Sequence, residues 1–390
     1  MTGTITMIHN NYVAVDGDTI SLDRKFLTGM RKYAEFIHAR VVTINPLNIS
    51  NLPIMDKVSI DRKNLGFDLI TIDEKAASEV TKNLIRDQIS KSNLIYGYTN
   101  WNIHKISKDL GVPYILVLEC DLKTHISKST SQVNNFPRRI SRTLKTARRY
   151  IFTDCKAMLN AAALHCNGYP AYDESRLFNS QRLLYLDSRM LANMVIPTDR
   201  LNQRLASRKN RTIRLLYTGR YEKIKGTLDV VHIALKCLQQ GLDLELNCFG
   251  SGSLKDEMLM LANQAPEGRI KIHDSIPYPE LVEMSYESDI FICCHIQSDP
   301  SCTYLESFGA GLPIIGYGNR MWSRLCEQSS AGCVSPIGDF QSAVDLIKSL
   351  VTSEQKLDHL SHQARRFALD HTFEVEFSNR ISDINLHLSR

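Results

Sequence analysis

The chain has 390 residues, 43% apolar and 23% charged, an ordinary globular composition and long enough for two hydrophobic cores. No apolar run approaches the ~20 residues that a membrane-spanning helix needs. The start, from Met1 to Asp18, lacks the cationic and apolar regions of a secretory signal, so a cytoplasmic chain with reduced cysteines is expected. The net charge of +5 hides an asymmetry: residues 1–210 carry 30 Lys+Arg against 19 Asp+Glu, and residues 211–390 carry 17 against 23. The first half is therefore suited to meeting something anionic.

Taken in chain order, residues 5–9 read as a strand, 23–37 as a helix and 41–44 as a strand. Residues 69–72, 94–96, 114–118 and 150–152 follow as short strands, and the polar, basic stretch 198–212 reads as a linker. The second half is clearer. Strands at 213–218, 244–249, 270–273, 290–295 and 313–317 alternate with helices at 226–240, 254–263, 281–286, 304–309, 340–350 and 353–369. Alternating apolar strands and helices give a parallel sheet wrapped on both faces. Two doubly wound α/β units would face one another across a cleft, where such folds bind ligands.

Two segments of the second half carry chemistry. The first, Gly219-Arg220-Tyr221-Glu222-Lys223-Ile224-Lys225-Gly226, joins a strand to a helix. It places two cations beside the free N–H groups of a helix start, an arrangement suited to a diphosphate. The second runs Asp299-Pro300-Ser301-Cys302-Thr303-Tyr304-Leu305-Glu306-Ser307-Phe308-Gly309-Ala310-Gly311-Leu312-Pro313. Here the amides from Ser301 to Tyr304 are expected to point at an anion, with Glu306 in a helix first turn able to accept two ribose hydroxyls. Taken singly, each also reads as an ordinary loop, with solvated cations in one and a helix-stabilising carboxylate in the other.

Together and in this order, GRxxxxKG from Gly219 and PSxxxxLExxxxGxP from Pro300 resemble the donor domain of family 4, group 1 glycosyltransferases. Gly250-Ser251-Gly252-Ser253 resembles that family's glycine loop, and Tyr278-Pro279-Glu280-Leu281 falls in the expected order. The resemblance implies a GT-B fold of two Rossmann-like domains. These are expected as an acceptor domain over 1–205, a donor domain over 206–372, and a C-terminal helix over 373–390 packing back on the first. It also implies a retaining hexosyltransferase that uses a nucleotide-diphosphate sugar, without a metal or other cofactor. Arg220 and Lys225 would hold the diphosphate and Glu306 the ribose. Gly219, Gly250, Ser251, Gly252 and Tyr278 would line the nucleotide, with Ser301, Cys302, Thr303 and Tyr304 beside the phosphates.

The sequence departs from the family twice. Ser298 stands where the first member of an acidic pair is usual, which leaves Gln297 or Asp299 to hold the donor sugar. Glu119, after the strand at 114–118, stands where the family often has histidine, and either orients the acceptor hydroxyl or caps the strand. A catalytically inactive binding protein and a sugar-nucleotide epimerase of the same fold therefore stay open. Residues 186–190 include Asp187 and Arg189, read as an internal ion pair or an acceptor contact.

One feature of the first half is sharp. Over 138–150, Ile140, Leu144, Ala147 and Ile151 form a helical stripe flanked by Arg138, Arg139, Arg142, Lys145, Arg148 and Arg149. This reads as peripheral docking on an anionic inner membrane face, or as a docked helix with a solvated cationic side. A lipid-linked or cell-surface polysaccharide acceptor fits the first reading. No nucleic-acid-binding motif is present.

Overall fold

The computed structural model describes residues 3–390 except 53, 55, 74–78, 100, 101, 132, 134, 209 and 210. Ten strands fall in the N-terminal lobe: β1 Thr4–Ile8, β2 Ala14–Asp16, β3 Thr19–Asp23, β4 Arg40–Pro46 and β5 Lys57–Asp61, then β6 Asp68–Ile72, β7 Leu94–Gly97, β8 Tyr114–Leu118, β9 Ala163–Asn167 and β10 Arg182–Tyr185. Seven of them form a parallel sheet in the order β10-β9-β8-β7-β1-β4-β6, and β2, β3 and β5 make a small antiparallel sheet beside it. The C-terminal lobe holds β11 Ile213–Thr218, β12 Leu244–Phe249, β13 Ile270–His273, β14 Ile290–Cys293, β15 Ile314–Tyr317 and β16 Gly332–Ser335. These form a second parallel sheet in the order β13-β12-β11-β14-β15-β16.

Both large sheets are buried on both faces, which is why their strands read as apolar runs. In β11, Leu215 and Tyr217 enter one core while Leu216 enters the other. In β1, Ile5 and Met7 point one way and Ile8 the other. The chain returns at its end: helix Phe373–Leu388 places Phe373, Phe377 and Ile381 in the core of the N-terminal lobe, beside Tyr33 of helix Arg24–Phe36.

Three expectations need correction. Residues 150–152 are not a strand. They belong to a π-helical turn, Tyr150–Asp154, that prolongs helix Phe136–Arg149 and leaves Ile151 and Phe152 exposed. A Tyr-Ile-Phe run satisfies strand propensity, but nothing pairs with it. The polar stretch at 198–212 is largely helix, Thr198–Ser207, with Lys209 and Asn210 outside the described residues. Its Leu201 and Leu205 join a core of the C-terminal lobe, and buried Arg204 caps the carbonyls of Tyr286, Ala310 and Gly311 at 3.0, 2.8 and 2.8 Å. Lastly, helix Cys302–Gly309 starts earlier than expected, so Glu306 lies in its second turn.

Candidate active site

The loops after β11 and β12 are zipped together. Gly219 N–H donates to Phe249 O (3.1 Å), Tyr221 N–H to Ser251 O (2.8 Å), and the buried Tyr221 hydroxyl to His273 O (2.7 Å). The approach demands glycine: a Cβ on Gly250 would fall 1.9 Å from the Gly219 carbonyl oxygen. Gly226 ends the loop in the left-handed region at φ +60°, where a Cβ would lie 2.0 Å from Cys294 O. The loop so fixed carries an exposed Arg220 and a buried Lys225. Burial pulls the Lys225 ammonium below its ordinary range, with repulsion from Arg220 and Lys128 adding to the effect and Asp299 opposing it. A cation held in that state gains from any anion that reaches it.

The second segment faces this loop. Asp299 is buried, with one carboxylate oxygen 3.7 Å from Lys225 Nζ and the other 3.9 Å from Lys128 Nζ of helix Leu122–Thr130 in the opposite lobe. Its Oδ1 and the Oε1 of buried Gln297 accept no hydrogen bond among the described residues. Ser298 instead turns toward helix Arg320–Ser329, accepting from Arg320 N–H (3.1 Å). At the start of helix Cys302–Gly309, the Tyr304 amide donates to Ser301 O (3.3 Å). Those of Ser301, Cys302 and Thr303 find no protein acceptor among the described residues. The Tyr304 ring is core, stacked on Trp322 at 5.7 Å, so only its backbone can serve a ligand.

Glu306 is gripped by Arg189, whose Nε and Nη2 lie 2.6 and 3.4 Å from its two oxygens. The same guanidinium sits 4.1 Å over the ring of Tyr278, at the start of helix Tyr278–Tyr286, and the buried Tyr278 hydroxyl has no hydrogen-bond partner among the described residues. Arg189 and Asp187 are therefore not paired with each other. Asp187 binds Lys25 of the N-terminal lobe (2.5 Å), and Lys25 also donates to the Cys302 sulfur (3.0 Å). Burial alone would lower the Lys25 ammonium, but Asp187 and Cys302 carry it above its usual value. Burial pushes the Cys302 thiol up to about 12, which keeps it neutral.

Across the cleft, Glu119 follows β8 and accepts from the Tyr98 hydroxyl (3.0 Å). It borders a cavity of about 190 Å³ shared with Lys25, Asn167, Asp187 and several aromatic rings. Next to it, Lys128 donates to Cys120 Sγ (3.0 Å), and Asp121 pairs with Arg320 of the C-terminal lobe. Lys25, Lys128 and Arg320 escaped the sequence reading because each is a single cation in an ordinary helix, and the carboxylate it meets lies in a distant part of the chain. Among the described residues, no helix is long and apolar enough to cross a membrane.

Residues 212–353 match the family model described as "Glycosyl transferases group 1". Over that segment, which makes up most of the C-terminal lobe, the chain is similar to the group 1 glycosyltransferases. The chain as a whole has a GT-B fold of two parallel α/β sheets. A search of curated sequences gives no match. Among solved structures, Anabaena HepE in complex with UDP is similar over 100% of this chain and 98% of its own, at 12% identity and TM-score 0.63. A glycosyltransferase from Rickettsia africae is similar at 11% identity and TM-score 0.67, over 100% and 99% of the two chains. WaaG, a glycosyltransferase of lipopolysaccharide biosynthesis, is similar at 14% identity and TM-score 0.61, over 97% and 99%. At these identities the structural likeness speaks for the fold.

Proposed function

We propose that this chain is a nucleotide-sugar-dependent glycosyltransferase that transfers a sugar with retention of configuration from a nucleoside diphosphate to a hydroxyl of an acceptor seated against the N-terminal lobe. One observation carries the reading. Lys225 and the buried oxygens of Gln297 and Asp299 that accept no hydrogen bond among the described residues occupy one side of the cleft, and Lys128 closes on Asp299 from the other. Arg220, Lys225 and the free amides of Ser301, Cys302 and Thr303 meet the diphosphate and stabilise its charge as it leaves. Glu306 takes the ribose, and the loops bearing Gly219, Gly250, Ser251 and Gly252, with Tyr278, line the nucleotide. Gln297 and Asp299 accept the sugar hydroxyls that the usual carboxylate at position 298 would hold. Glu119 orients the acceptor hydroxyl. UDP in the HepE structure makes uridine diphosphate the first nucleotide to test.

The basic helix adds the acceptor's setting. In Phe136–Arg149 no residue is buried; Phe136, Ile140 and Leu144 are 72%, 45% and 65% exposed, with Arg138, Arg139, Arg142, Lys145, Arg148 and Arg149 around them. The helix packs on helix Leu122–Thr130 through Thr146 Oγ1 on Ser129 Oγ (3.1 Å), and Arg142, while exposed, also donates to Ser129 O (3.2 Å). An uncovered apolar stripe edged by cations suits an anionic bilayer, at about 1 kcal/mol per cation near the headgroups. A lipid-linked or growing cell-surface glycan is the acceptor this supports.

The test is a thermal-shift screen of nucleoside diphosphates and nucleotide sugars, followed by diphosphate release and anomeric NMR of the product. Binding without release or transfer would make the chain a binding protein, and an isomerised donor would make it an epimerase. No stabilisation by any nucleotide would remove the donor role of the Gly219–Glu306 region. Vesicle sedimentation tests the helix: binding should require anionic lipid, weaken with salt, and fall on Arg138→Gln, Arg139→Gln and Arg142→Gln together. Equal binding to neutral vesicles would count against it.

A further inference from the structure

The cavity beside Glu119 holds a cation that the transfer mechanism does not use. Arg380 projects from the C-terminal helix Phe373–Leu388 into the N-terminal lobe and is buried there. Its guanidinium lies 4.0 Å from the centre of the Phe377 ring, 4.4 Å from Tyr185 and 5.9 Å from Tyr33. Its Nε donates to Glu376 O (3.2 Å), and among the described residues no carboxylate comes within ion-pairing distance. The acids that line the same cavity are otherwise engaged. Asp187 is paired with Lys25, Asp23 caps helix Arg24–Phe36, and Glu119 receives the Tyr98 hydroxyl. Asp187 attracts Arg380 only from beyond ion-pairing distance and is shared with Lys25. A buried cation without a directly paired counter-ion is costly and can take an anion from elsewhere. A second group is also unmet: on the same cavity wall, buried His9 Nε2 has no hydrogen-bond partner among the described residues.

The volume, about 190 Å³, suits one sugar ring. Aromatic faces such as Phe26 and Tyr33 suit its C–H surfaces, and Asn11 and Asn167 suit its hydroxyls. We infer that this cavity binds an anionic sugar of the acceptor, whose carboxylate or phosphate ion-pairs with Arg380 while its hydroxyl faces Glu119. The inference rests on the acceptor reading given above and deepens it from a hydroxyl-bearing glycan to a charged one. Arg380 is in this view a specificity residue contributed by the last helix, so the acceptor site is incomplete without the chain's return to the first lobe.

The test measures binding of a methyl hexuronoside, a hexose 6-phosphate and a neutral methyl hexoside to the full chain saturated with nucleoside diphosphate. At least one charged sugar should bind about ten- to a hundredfold more tightly than the neutral one, the range expected of hydrogen bonds to a charged partner. Preference for the uronate assigns a carboxylate, and preference for the phosphosugar assigns a phosphate. Arg380→Met, which keeps the packing volume, should erase the preference while nucleoside diphosphate affinity stays at the wild-type value. If all three sugars bind equally to the wild-type chain, the anionic inference is overturned and the acceptor reading stands. If none binds or competes with acceptor although the nucleotide does, the acceptor reading of this cavity fails with it. The wild-type comparison decides the matter even if the Arg380 variant does not fold.

Discussion

Replacing Lys225 with methionine should separate donor binding from stability. The ammonium lies 3.7 Å from Asp299 Oδ1, a gross attraction of about 4 kcal/mol at an effective dielectric of about 20. Desolvating a buried cation costs several kcal/mol, roughly as much, and Arg220 and Lys128 repel it further. The downward shift of its pKa shows that the unfavourable side prevails. Asp299 would keep Lys128 at 3.9 Å, so the variant leaves no carboxylate stranded. Lys225→Met should therefore unfold in urea at the wild-type concentration or slightly above, a change of about 0–1 kcal/mol. Nucleoside diphosphate affinity should fall by about ten- to a hundredfold, the loss of one charge-assisted contact to phosphate. Calorimetric titration of nucleoside diphosphate and urea denaturation read the two quantities independently. Affinity within about twofold of wild type would refute the diphosphate role. A stability loss above about 2 kcal/mol, the scale of a broken favourable buried contact, would refute the claim that this cation is strained.

Three further outcomes follow from the same geometry. Arg189→Gln should raise nucleoside diphosphate affinity about three- to tenfold, because Glu306 no longer has to exchange a partly exposed ion pair for a ribose; weaker binding would instead make Arg189 a donor contact. Gly226→Ala should cost about 1–2 kcal/mol for the left-handed backbone alone, with more from the overlap at Cys294 O. Nucleotide titration should then show a larger loss than simple destabilisation explains, and unchanged binding would argue against a rigid loop. The third concerns acid. Burial, with Arg380 adding repulsion, pulls the His9 imidazole down to about 4 from 6.5. Between those values the unfolded chain binds the proton that the folded chain refuses, so this contribution is complete above pH 6.5 and is lost as pH falls toward 4. His9→Gln should flatten the stability–pH slope in that window, and an unchanged slope would place the acid sensitivity elsewhere.

Local sequence determined much of this protein. The apolar runs of β11 and β12, the helix that begins beside Asp23, and the amphipathic stripe at Ile140 and Leu144 follow from residue pattern alone. So do the glycine-bounded loop of Arg220 and Lys225 and the helix that carries Glu306, though not its first turn, since each is one continuous stretch. Where propensity misled, packing had overruled it: Tyr150–Asp154 stays helical because no strand pairs with it, and Thr198–Ser207 is a helix because Leu201, Leu205 and Arg204 find partners in the C-terminal lobe. Tertiary structure alone decided the polar constellation. Arg189 grips Glu306 across 117 residues, Lys25 reaches Cys302 across 277, and Lys128 meets Asp299 from the opposite lobe. None of these partners shares a helix turn or a strand register, so no local periodicity records them. The missing carboxylate at Ser298 shows the difference most plainly. Its absence is legible in the sequence, but only the fold shows Ser298 turned to Arg320 while Gln297 and Asp299 keep buried oxygens that accept no hydrogen bond among the described residues, because side-chain direction there is set by the packing of two lobes.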